Sequence, residues 1–308
     1  MRNVNNINIR NRYIFRKPAF VLAAALSTGM GIASPGFARE GSFLVDLNTK
    51  QVTEFASLGG GHTHASDINN SGQVVGASNT STGETHAFIT GPGGIGMRDL
   101  GTIAGSFSYG SGINAAGQVV GQSDTSTGPH AFITGPNGAG MRVVTGGESW
   151  GADINSAGQV VGFSYAISGN TFITGPNGVG ARGLGTLGGD FGGGANGIND
   201  AGRVAGTSDT NMGLHAFITG PNGMDMTDLG TLGGYYSQAY DINATGQVIG
   251  FSATSEGKDH AFITGSNGMD MTDLGTLGGD SSAAWVSTLP DRWLESLLPR
   301  VTVELMLS

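Results

Sequence analysis

Two histidines and an aspartate near residue 65 have a spacing that could hold a metal ion. His62, His64 and Asp67 occur together in this pattern once. Histidines two residues apart lie on the same face of a β-strand, and a nearby carboxylate would complete a surface site for a zinc-like cation. A loop with scattered polar residues explains the same three side chains, and we favour that interpretation.

Two other segments resemble the start of a calcium-binding EF-hand loop. Residues 67–72 read Asp-x-Asn-x-Ser-Gly, and residues 241–246 read Asp-x-Asn-x-Thr-Gly. A calcium loop needs a bidentate acid at its twelfth position, where this chain has Ser78 and Ser252. We therefore expect plain turns, no cofactor and at most weak calcium binding.

Four histidines recur at matching places in the chain. A ring of histidines around an axis would bind a metal or an anion, but a residue that repeats in nearly every unit is usually structural, and one copy has Asn170 instead. We predict that each histidine holds a neighbouring strand, and that Asp99, Asp228 and Asp273 accept backbone N–H bonds. The histidines are His86, His130, His215 and His260.

Few residues carry other recognisable chemistry. The chain has no cysteine, which excludes disulfides, thiolate metal sites and thiol nucleophiles. No serine nucleophile elbow, phosphate-binding loop or His-Glu-x-x-His motif occurs, so we expect no enzymatic activity. Several aromatic residues depart from the repeated pattern and would stack on a sugar or anchor a protein, although we favour packing between repeats. These aromatics are Trp150, Tyr165, Tyr235, Tyr236 and Tyr240.

An internal repeat of about 44 residues determines the elements that must position these side chains. One anchor is Ile-Asn-x-x-Gly-(Gln/Arg)-Val, and a second is Phe-Ile-Thr-Gly. The anchor asparagines are Asn69, Asn114, Asn155, Asn199 and Asn243. The anchor phenylalanines are Phe88, Phe132, Phe172, Phe217 and Phe262. Five complete units are therefore expected.

Each unit predicts four β-strands. The first ends at Ile-Asn, as in residues 239–243, and the second is Gln-Val-Val-Gly, as in 73–76. The third is His-Ala-Phe-Ile-Thr, as in 260–264, and the fourth is Met-x-Asp-Leu, as in 226–229. An Asn-x-x-Gly turn joins the first two strands, and a Gly-Pro-Asn-Gly turn, as in 220–223, joins the last two.

The fold class that follows is all-β, with tandem four-stranded repeats. Adjacent positions of the second strand are both apolar, which indicates that both faces of each sheet are covered. This pattern favours a β-propeller of about six blades, and a β-solenoid is the alternative. Residues 42–47 and 51–55 predict the outer strands of a sixth blade, and residues 276–285 begin its inner half, so the termini would share this blade.

The repeated elements resemble the HAF family of bacterial extracellular repeats. His-Ala-Phe begins at residues 86, 130, 215 and 260, and Asp-Leu-Gly-Thr-Leu-Gly-Gly spans 228–234 and 273–279. The third copy departs from the family pattern with Asn-Thr-Phe at 170–172. The resemblance covers roughly residues 56–285 and implies export and a β-rich repeat structure. It supplies no catalytic or ligand-binding residue to transfer.

The N-terminus indicates export. Five basic residues and no acid precede residue 18, an apolar stretch follows, and Gly36-Phe37-Ala38 is a small-x-small cleavage site. We expect a signal peptide over residues 1–38, a HAF-type repeat domain over 39–285 and a divergent tail over 286–308. The tail is either a family-specific ending or a frameshifted or truncated reading, and we expect it to add little stability.

These features predict a secreted, non-enzymatic scaffold, extracellular or on the cell surface, with the periplasm as an alternative. Its partner would be an unknown protein or glycan. The net charge of −9 argues against nucleic acid, and no membrane span is expected after signal cleavage. The alternatives are a passenger fragment of a larger autotransporter-like surface protein and a propeller enzyme that acts on carbohydrate.

Overall fold

The computed structural model describes residues 13–15, 20–25, 41–46, 52–276 and 278–285. These residues form 24 strands, which make six antiparallel sheets of four strands each. No α-helix occurs in the described residues, and no helix there is long and apolar enough to cross a membrane. The first sheet is called the N-terminal sheet below, and the other five are called blades 1 to 5.

The strands follow one another in chain order across each sheet. The N-terminal sheet contains β1 (Tyr13–Phe15), β2 (Phe20–Ala25), β3 (Gly41–Asp46) and β4 (Val52–Glu54). Blade 1 contains β5 (Gly59–Ile68), β6 (Val74–Thr80), β7 (Thr85–Ile89) and β8 (Arg98–Gly101). Blade 2 contains β9 (Ser108–Ile113), β10 (Val119–Thr125), β11 (Gly128–Gly135) and β12 (Ala139–Val143).

The remaining blades repeat this arrangement. Blade 3 contains β13 (Ser149–Ile154), β14 (Val160–Ser164), β15 (Thr171–Ile173) and β16 (Arg182–Gly183). Blade 4 contains β17 (Gly193–Ile198), β18 (Val204–Asp209), β19 (Leu214–Ile218) and β20 (Thr227–Asp228). Blade 5 contains β21 (Gly233–Ile242), β22 (Val248–Thr254), β23 (Asp259–Ile263) and β24 (Thr272–Asp273).

Short 3-10 turns connect the third and fourth strands of each blade. An asparagine with positive φ supports four of these turns, for example Asn177 at φ 53°. Asparagine tolerates this left-handed conformation better than most residues, which explains its place in Gly-Pro-Asn-Gly. The turns are Pro92–Gly94, Pro136–Gly138, Pro176–Gly178, Pro221–Gly223 and Ser266–Gly268.

The six separate sheets form a β-propeller, and the prediction of this fold class is confirmed. The first strands of successive blades, from β5 through β9, β13 and β17 to β21, contact one another. The first strand of each blade is therefore the innermost, and the fourth lies at the outside. Separate four-stranded sheets exclude the alternative of a solenoid, whose coils share continuous sheets.

The core lies between successive sheets. The anchor phenylalanines, such as Phe172 and Phe217, are fully buried. Phe217 packs with Val161 and Ile173 of the preceding blade and with Val204 of its own. The same arrangement recurs at each junction from the N-terminal sheet to blade 5. Each blade thus buries one apolar face against its predecessor and the other against its successor, as the doubly apolar second strand predicts.

The anchor asparagines join each blade to the next. The Asn155 side chain donates to the carbonyl of Asn199, 3.2 Å away, and its own Oδ1 accepts from Gln159 N at 3.0 Å. Equivalent links run from blade 1 to blade 5. Gly158, in the same turn, has φ 75°, a conformation that glycine adopts without strain. The repeated Asn-x-x-Gly therefore closes a turn and ties two blades together.

The N-terminal sheet corrects one detail of the prediction. β3 and β4 match the expected outer strands, but β1 and β2 of the N-terminal segment occupy the inner positions. Residues 278–285 carry no strand, because the Ile-Asn-x-x-Gly-Gln-Val needed for an inner hairpin is missing after Trp285. β1 and β2 lie within the predicted signal peptide, so cleavage after Ala38 would leave β3 as an edge strand.

Residues 278–285 still start like a sixth repeat. Ser282 Oγ accepts from Ala261 N at 2.9 Å, as Ser237 Oγ accepts from Ala216 N one blade earlier. The Trp285 ring stacks on Tyr240 with centroids 4.0 Å apart. This segment therefore lies where the next innermost strand would begin. The predicted tail over 286–308 lies outside the described residues.

Candidate functional site

A β-bulge interrupts the first strand of every blade at the same place. In blade 3, Gly151 pairs with Gly162 and Asp153 pairs with Val161, so Ala152 has no partner on β14. A Cβ on Gly162 would collide with the carbonyl oxygen of Trp150, so glycine is required opposite the bulge. A bulge turns its extra side chain away from the regular alternation. The bulged residues are Ser66, Ser111, Ala152, Asn196 and Tyr240.

The bulged side chains reach the following blade beside the axis. Ser66 Oγ donates to Tyr109 Oη at 2.6 Å, and Asn196 Nδ2 donates to the carbonyl of Ala239 at 2.7 Å. Tyr240 stacks on Trp285. The bulge therefore directs a residue whose type changes from blade to blade to the inner edge of each blade junction.

The residue two positions before the bulge in each first strand also changes from blade to blade. It pairs with a residue of the second strand that changes as well. We call these ten residues the axial layer. Their positions are half-buried or exposed, except for the buried Ala77. None is Lys, Arg, Asp or Glu. The pairs are His64 with Ala77, Tyr109 with Gln122, Trp150 with Phe163, Gly194 with Thr207, and Gln238 with Phe251.

The strongly exposed aromatic residues all lie where first strands begin or second strands end. This edge, called the aromatic end below, lies opposite the Asn-x-x-Gly turns. Within the described part of the chain, these aromatics are Phe107, Trp150, Tyr165, Phe191, Tyr235 and Tyr236. Exposed aromatic surface concentrated in one place is a feature of binding sites.

Blade 3 contributes a stack of three rings. Trp150 stacks on Phe163 with centroids 4.2 Å apart and planes 8° apart, and Tyr165 meets Phe163 edge-on at 4.7 Å. Trp150 remains 43% exposed and Tyr165 66% exposed. In blade 4 the position that matches Trp150 is Gly194, so β17 supplies no side chain there. The Trp150 indole is therefore a rigid platform next to open space.

Blade 5 carries a second aromatic cluster. Tyr240 stacks near Phe251 at 5.7 Å, and Tyr236 meets Phe251 edge-on at 5.9 Å. The Tyr236 hydroxyl donates to Asp259. This hydrogen bond, together with burial and the negative charge of Asp259, raises the pKa of Tyr236 to about 12. The hydroxyl therefore stays protonated at neutral pH and holds its ring at the aromatic end.

The aromatic positions differ from the interpretation favoured from the sequence. Trp150, Tyr165, Tyr235 and Tyr236 do not fill the junctions between blades, because the anchor phenylalanines and aliphatic residues already do so. Tyr240 is half-buried in its stack with Trp285. The stacking interpretation is the one that matches their exposure. The sequence signal was present, since these residues break an otherwise regular repeat.

The candidate metal ligands do not converge. His62 and His64 are exposed on β5, whereas Asp67 is buried beyond the bulge. Asp67 accepts from Ile68 N at 2.7 Å and from Ile113 N of the next blade at 2.8 Å. No group of three His, Asp or Glu suited to a metal occurs in the described residues. Asp67 therefore joins two blades through their backbones.

The calcium-like segments form turns. In residues 67–72, Asn69 Oδ1 accepts from the backbone N–H of Ser71 at 3.0 Å and of Gln73 at 3.1 Å. Asn243 makes the same contacts in residues 241–246. The oxygens that would bind a cation are engaged by the chain's own amides. Ser78 and Ser252, at the twelfth positions, lie in strands β6 and β22 and make hydrogen bonds there.

The recurring histidines lie on the third strands, away from the axis. His260 Nδ1 lies 2.9 Å from Asp273 on the fourth strand, and Asp273 also accepts from Gly275 N at 2.7 Å. Burial raises the pKa of Asp273, but the hydrogen bonds from His260 and Gly275 and the charge of His260 outweigh it and hold the pKa below its usual value. The same pairing joins His86 to Asp99 and His215 to Asp228.

The second histidine has another partner. In blade 2 the place of the aspartate is taken by Val143, and His130 instead lies 3.3 Å from the carbonyl of Thr145 and 3.1 Å from Thr127 Oγ1. In blade 3 the triplet begins with Asn170, whose side chain donates to the carbonyl of Phe191. Each of these side chains therefore fastens neighbouring chain segments.

The comparisons with known proteins identify a fold. No protein-family model matches the chain, and no curated protein is significantly similar to it. An oligogalacturonate lyase from Vibrio parahaemolyticus matches with a TM-score of 0.57 and 12% identity, over 88% of this chain and 81% of the lyase. The GH74 enzyme of Niastella koreensis matches with a TM-score of 0.53 and 15% identity, over 86% of this chain and 37% of the enzyme.

A third solved structure is TolB from Acinetobacter baumannii. It matches with a TM-score of 0.45 and 13% identity, over 67% of this chain and 50% of TolB, so the chain spans half of that protein's length. At such identities a likeness describes the backbone and not the chemistry. Together with the six four-stranded sheets, the likeness to the lyase shows that the chain has the β-propeller fold.

Proposed function

We propose that the chain is an exported, non-catalytic β-propeller that binds a ligand through its axial layer and aromatic end. The observation that supports this proposal is the place where the repeats differ from one another. Residues that repeat in every blade are used for folding, whereas the axial layer differs from blade to blade and includes the exposed Trp150, and the other exposed aromatic rings lie at the aromatic end. A surface free of repeat constraints, rich in rigid aromatic groups, is suited to recognition.

The proposed export rests on the basic, apolar and small-residue order of residues 1–38. Release through the general secretion route predicts a mature chain that begins at Arg39, outside the cytoplasm. The HAF resemblance supports the same location. Edman sequencing of the released protein tests this part, and an N-terminus at Met1 in a cytoplasmic fraction would contradict it.

Tryptophan fluorescence tests the proposed binding. The full chain has three tryptophans, and Trp150 stands at the aromatic end. The probes are size-fractionated small molecules, polysaccharides and proteins from the medium of the producing bacterium. We expect at least one fraction to change the emission saturably, and we expect the change to disappear in Trp150→Phe. No saturable response, or an equal response in the variant, would contradict the proposal.

The same sample tests the absence of catalysis. After overnight incubation the bound compound is recovered and weighed by mass spectrometry. We expect its mass and amount to be unchanged. Cleavage or elimination products that depend on the protein would instead favour the alternative, a propeller enzyme that acts on carbohydrate.

A further inference from the structure

The ligand class can be narrowed from the chemistry of the axial layer, and this step rests on the function proposed above. Apart from His64, Ala77 and the bare Gly194, the residues of the layer fall into two groups. One consists of aromatic rings, led by the stacked pair Trp150 and Phe163. The other consists of uncharged amides and hydroxyls, including Gln122 and Gln238. An aromatic ring with amides nearby matches a molecule that has one apolar face and a rim of hydroxyl groups.

Charge complementarity excludes several ligand classes. Anionic ligands are usually bound by Lys or Arg, and neither occurs in the axial layer, where His64 is the one basic side chain. The arginines that recur in the repeats are turned elsewhere: Arg98, Arg142 and Arg182 lie on outer strands and donate to carbonyls of the next blade. A cationic ligand would need carboxylates, which the axial layer also lacks. The ligand that fits is neutral.

The space beside the Trp150 platform is open enough to admit a flat sugar ring. Blade 4 has Gly194 there, where blade 5 has Gln238. A Cβ added to Gly194 would have one neighbour within 4 Å, Asn196 Oδ1 at 3.9 Å. Glycines allow a ligand to approach the backbone closely. A ring that stacks on Trp150 thus extends over bare backbone.

We propose that the axial layer binds a neutral oligosaccharide, with one pyranose ring stacked on Trp150 and a neighbouring unit lying over Gly194. The C–H groups on one face of the pyranose contact the indole, and its hydroxyls exchange hydrogen bonds with the amides of the layer. Acidic sugars such as uronates fit less well, because the layer holds no Lys or Arg and its one basic side chain, His64, lies two blades before Trp150.

Titration with defined sugars tests this inference. The probes are cellohexaose, maltohexaose and mannohexaose, with tetragalacturonate as the charged counterpart, followed by fluorescence and calorimetry on the full chain. We expect saturable binding of at least one neutral hexasaccharide and none of tetragalacturonate. Binding of tetragalacturonate alone, or of no sugar, would overturn the inference.

Two variants localise the site. Trp150→Ala removes the platform, and we expect at least a tenfold loss of affinity by calorimetry. Gly194→Gln copies the residue of blade 5 into the open place, and we expect at least a fivefold loss. The control is Val179→Ala, which trims an exposed apolar residue at the opposite end and should bind as the original chain does. Unchanged affinity in Trp150→Ala or in Gly194→Gln would contradict the site.

The proposed function and this inference fail in different ways. If a protein or a charged fraction changes Trp150 emission and no neutral sugar does, the binding scaffold stands and the ligand class is wrong. If nothing changes Trp150 emission, both are wrong.

Discussion

The junctions between blades and the axial layer use the same strands in opposite ways. At the junctions, Phe88, Phe132, Phe172, Phe217 and Phe262 are identical and fully buried. In the axial layer, the matching positions of the five first strands hold His64, Tyr109, Trp150, Gly194 and Gln238, which all differ. The difference shows that the repeat constrains the faces that pack, and leaves the inner edge free to carry recognition.

Two phenylalanines of blade 3 should show the largest difference in stability between the junctions and the axial layer. Phe172 is fully buried between blades, and Phe163 is half-buried in the axial layer. Phe172→Ala should lower the free energy of unfolding by about 3–5 kcal/mol, because it leaves a cavity. Phe163→Ala should cost about 1 kcal/mol, the worth of an aromatic pair. Urea unfolding followed by circular dichroism measures both. Equal losses of unfolding free energy in the two variants would contradict the distinction between the junctions and the axial layer.

Two asparagines that each bond to the following blade give a smaller contrast. Asn155 is buried, and its removal takes away the side chain that bonds both the backbone N–H and the Oε1 of the buried Gln159. Asn155→Ala should therefore cost about 2–3 kcal/mol. Asn196 is half-buried beside the axis and makes one such bond, to Ala239. Asn196→Ala should cost at most about 1 kcal/mol. A larger loss from Asn196 would mean that the bulged residues beside the axial layer also maintain the fold.

The pH dependence of the outer strands gives the smallest effect. The folded pKa of Asp273 lies below its ordinary value of 3.8, so its ionised form stabilises the fold above that pH. This stabilisation is lost as the pH falls through the lowered pKa. Asp273→Asn should therefore melt slightly below the original chain at pH 7, and this difference in melting temperature should close as the pH falls below 3.8. A difference in melting temperature that grows as the pH falls would contradict the stabilising role of the ionised Asp273.

Much of the fold follows from the sequence because the repeat supplies five copies of each signal. The apolar pair at Val160 and Val161 predicts a strand that is covered on both faces, and both residues are fully buried. The Asn-x-x-Gly and Gly-Pro-Asn-Gly turns were predictable from the backbone angles that these residues accept. The inner half of the sixth sheet was not, because an apolar segment of the N-terminus takes the strand positions expected for the C-terminal segment, and local pattern does not decide such pairing.

The candidate site was harder to predict, because its residues do not repeat. The bulge at Ala152 moves the register by one residue, and strict alternation then assigns Trp150 to the wrong side. The glycine opposite the bulge, Gly162 in blade 3, was the available signal. It recurs in all five copies of the second strand, where a glycine otherwise weakens a strand. The ligand class also needed the assembled layer, since no single repeat shows that charge is absent from it.

Native gel electrophoresis of Trp150→Gln tests the central claim, that the axial layer binds and does not maintain the fold. The substitution gives blade 3 the Gln–Phe pair of blade 5, so it uses residues that the repeat already accepts. The variant and the original chain run side by side in plain gels and in gels that contain hydroxyethylcellulose, glycogen or galactomannan. The account predicts equal mobility in the plain gel and retardation of the original chain alone by a polysaccharide. Altered mobility in the plain gel, or equal retardation of both chains, would contradict it.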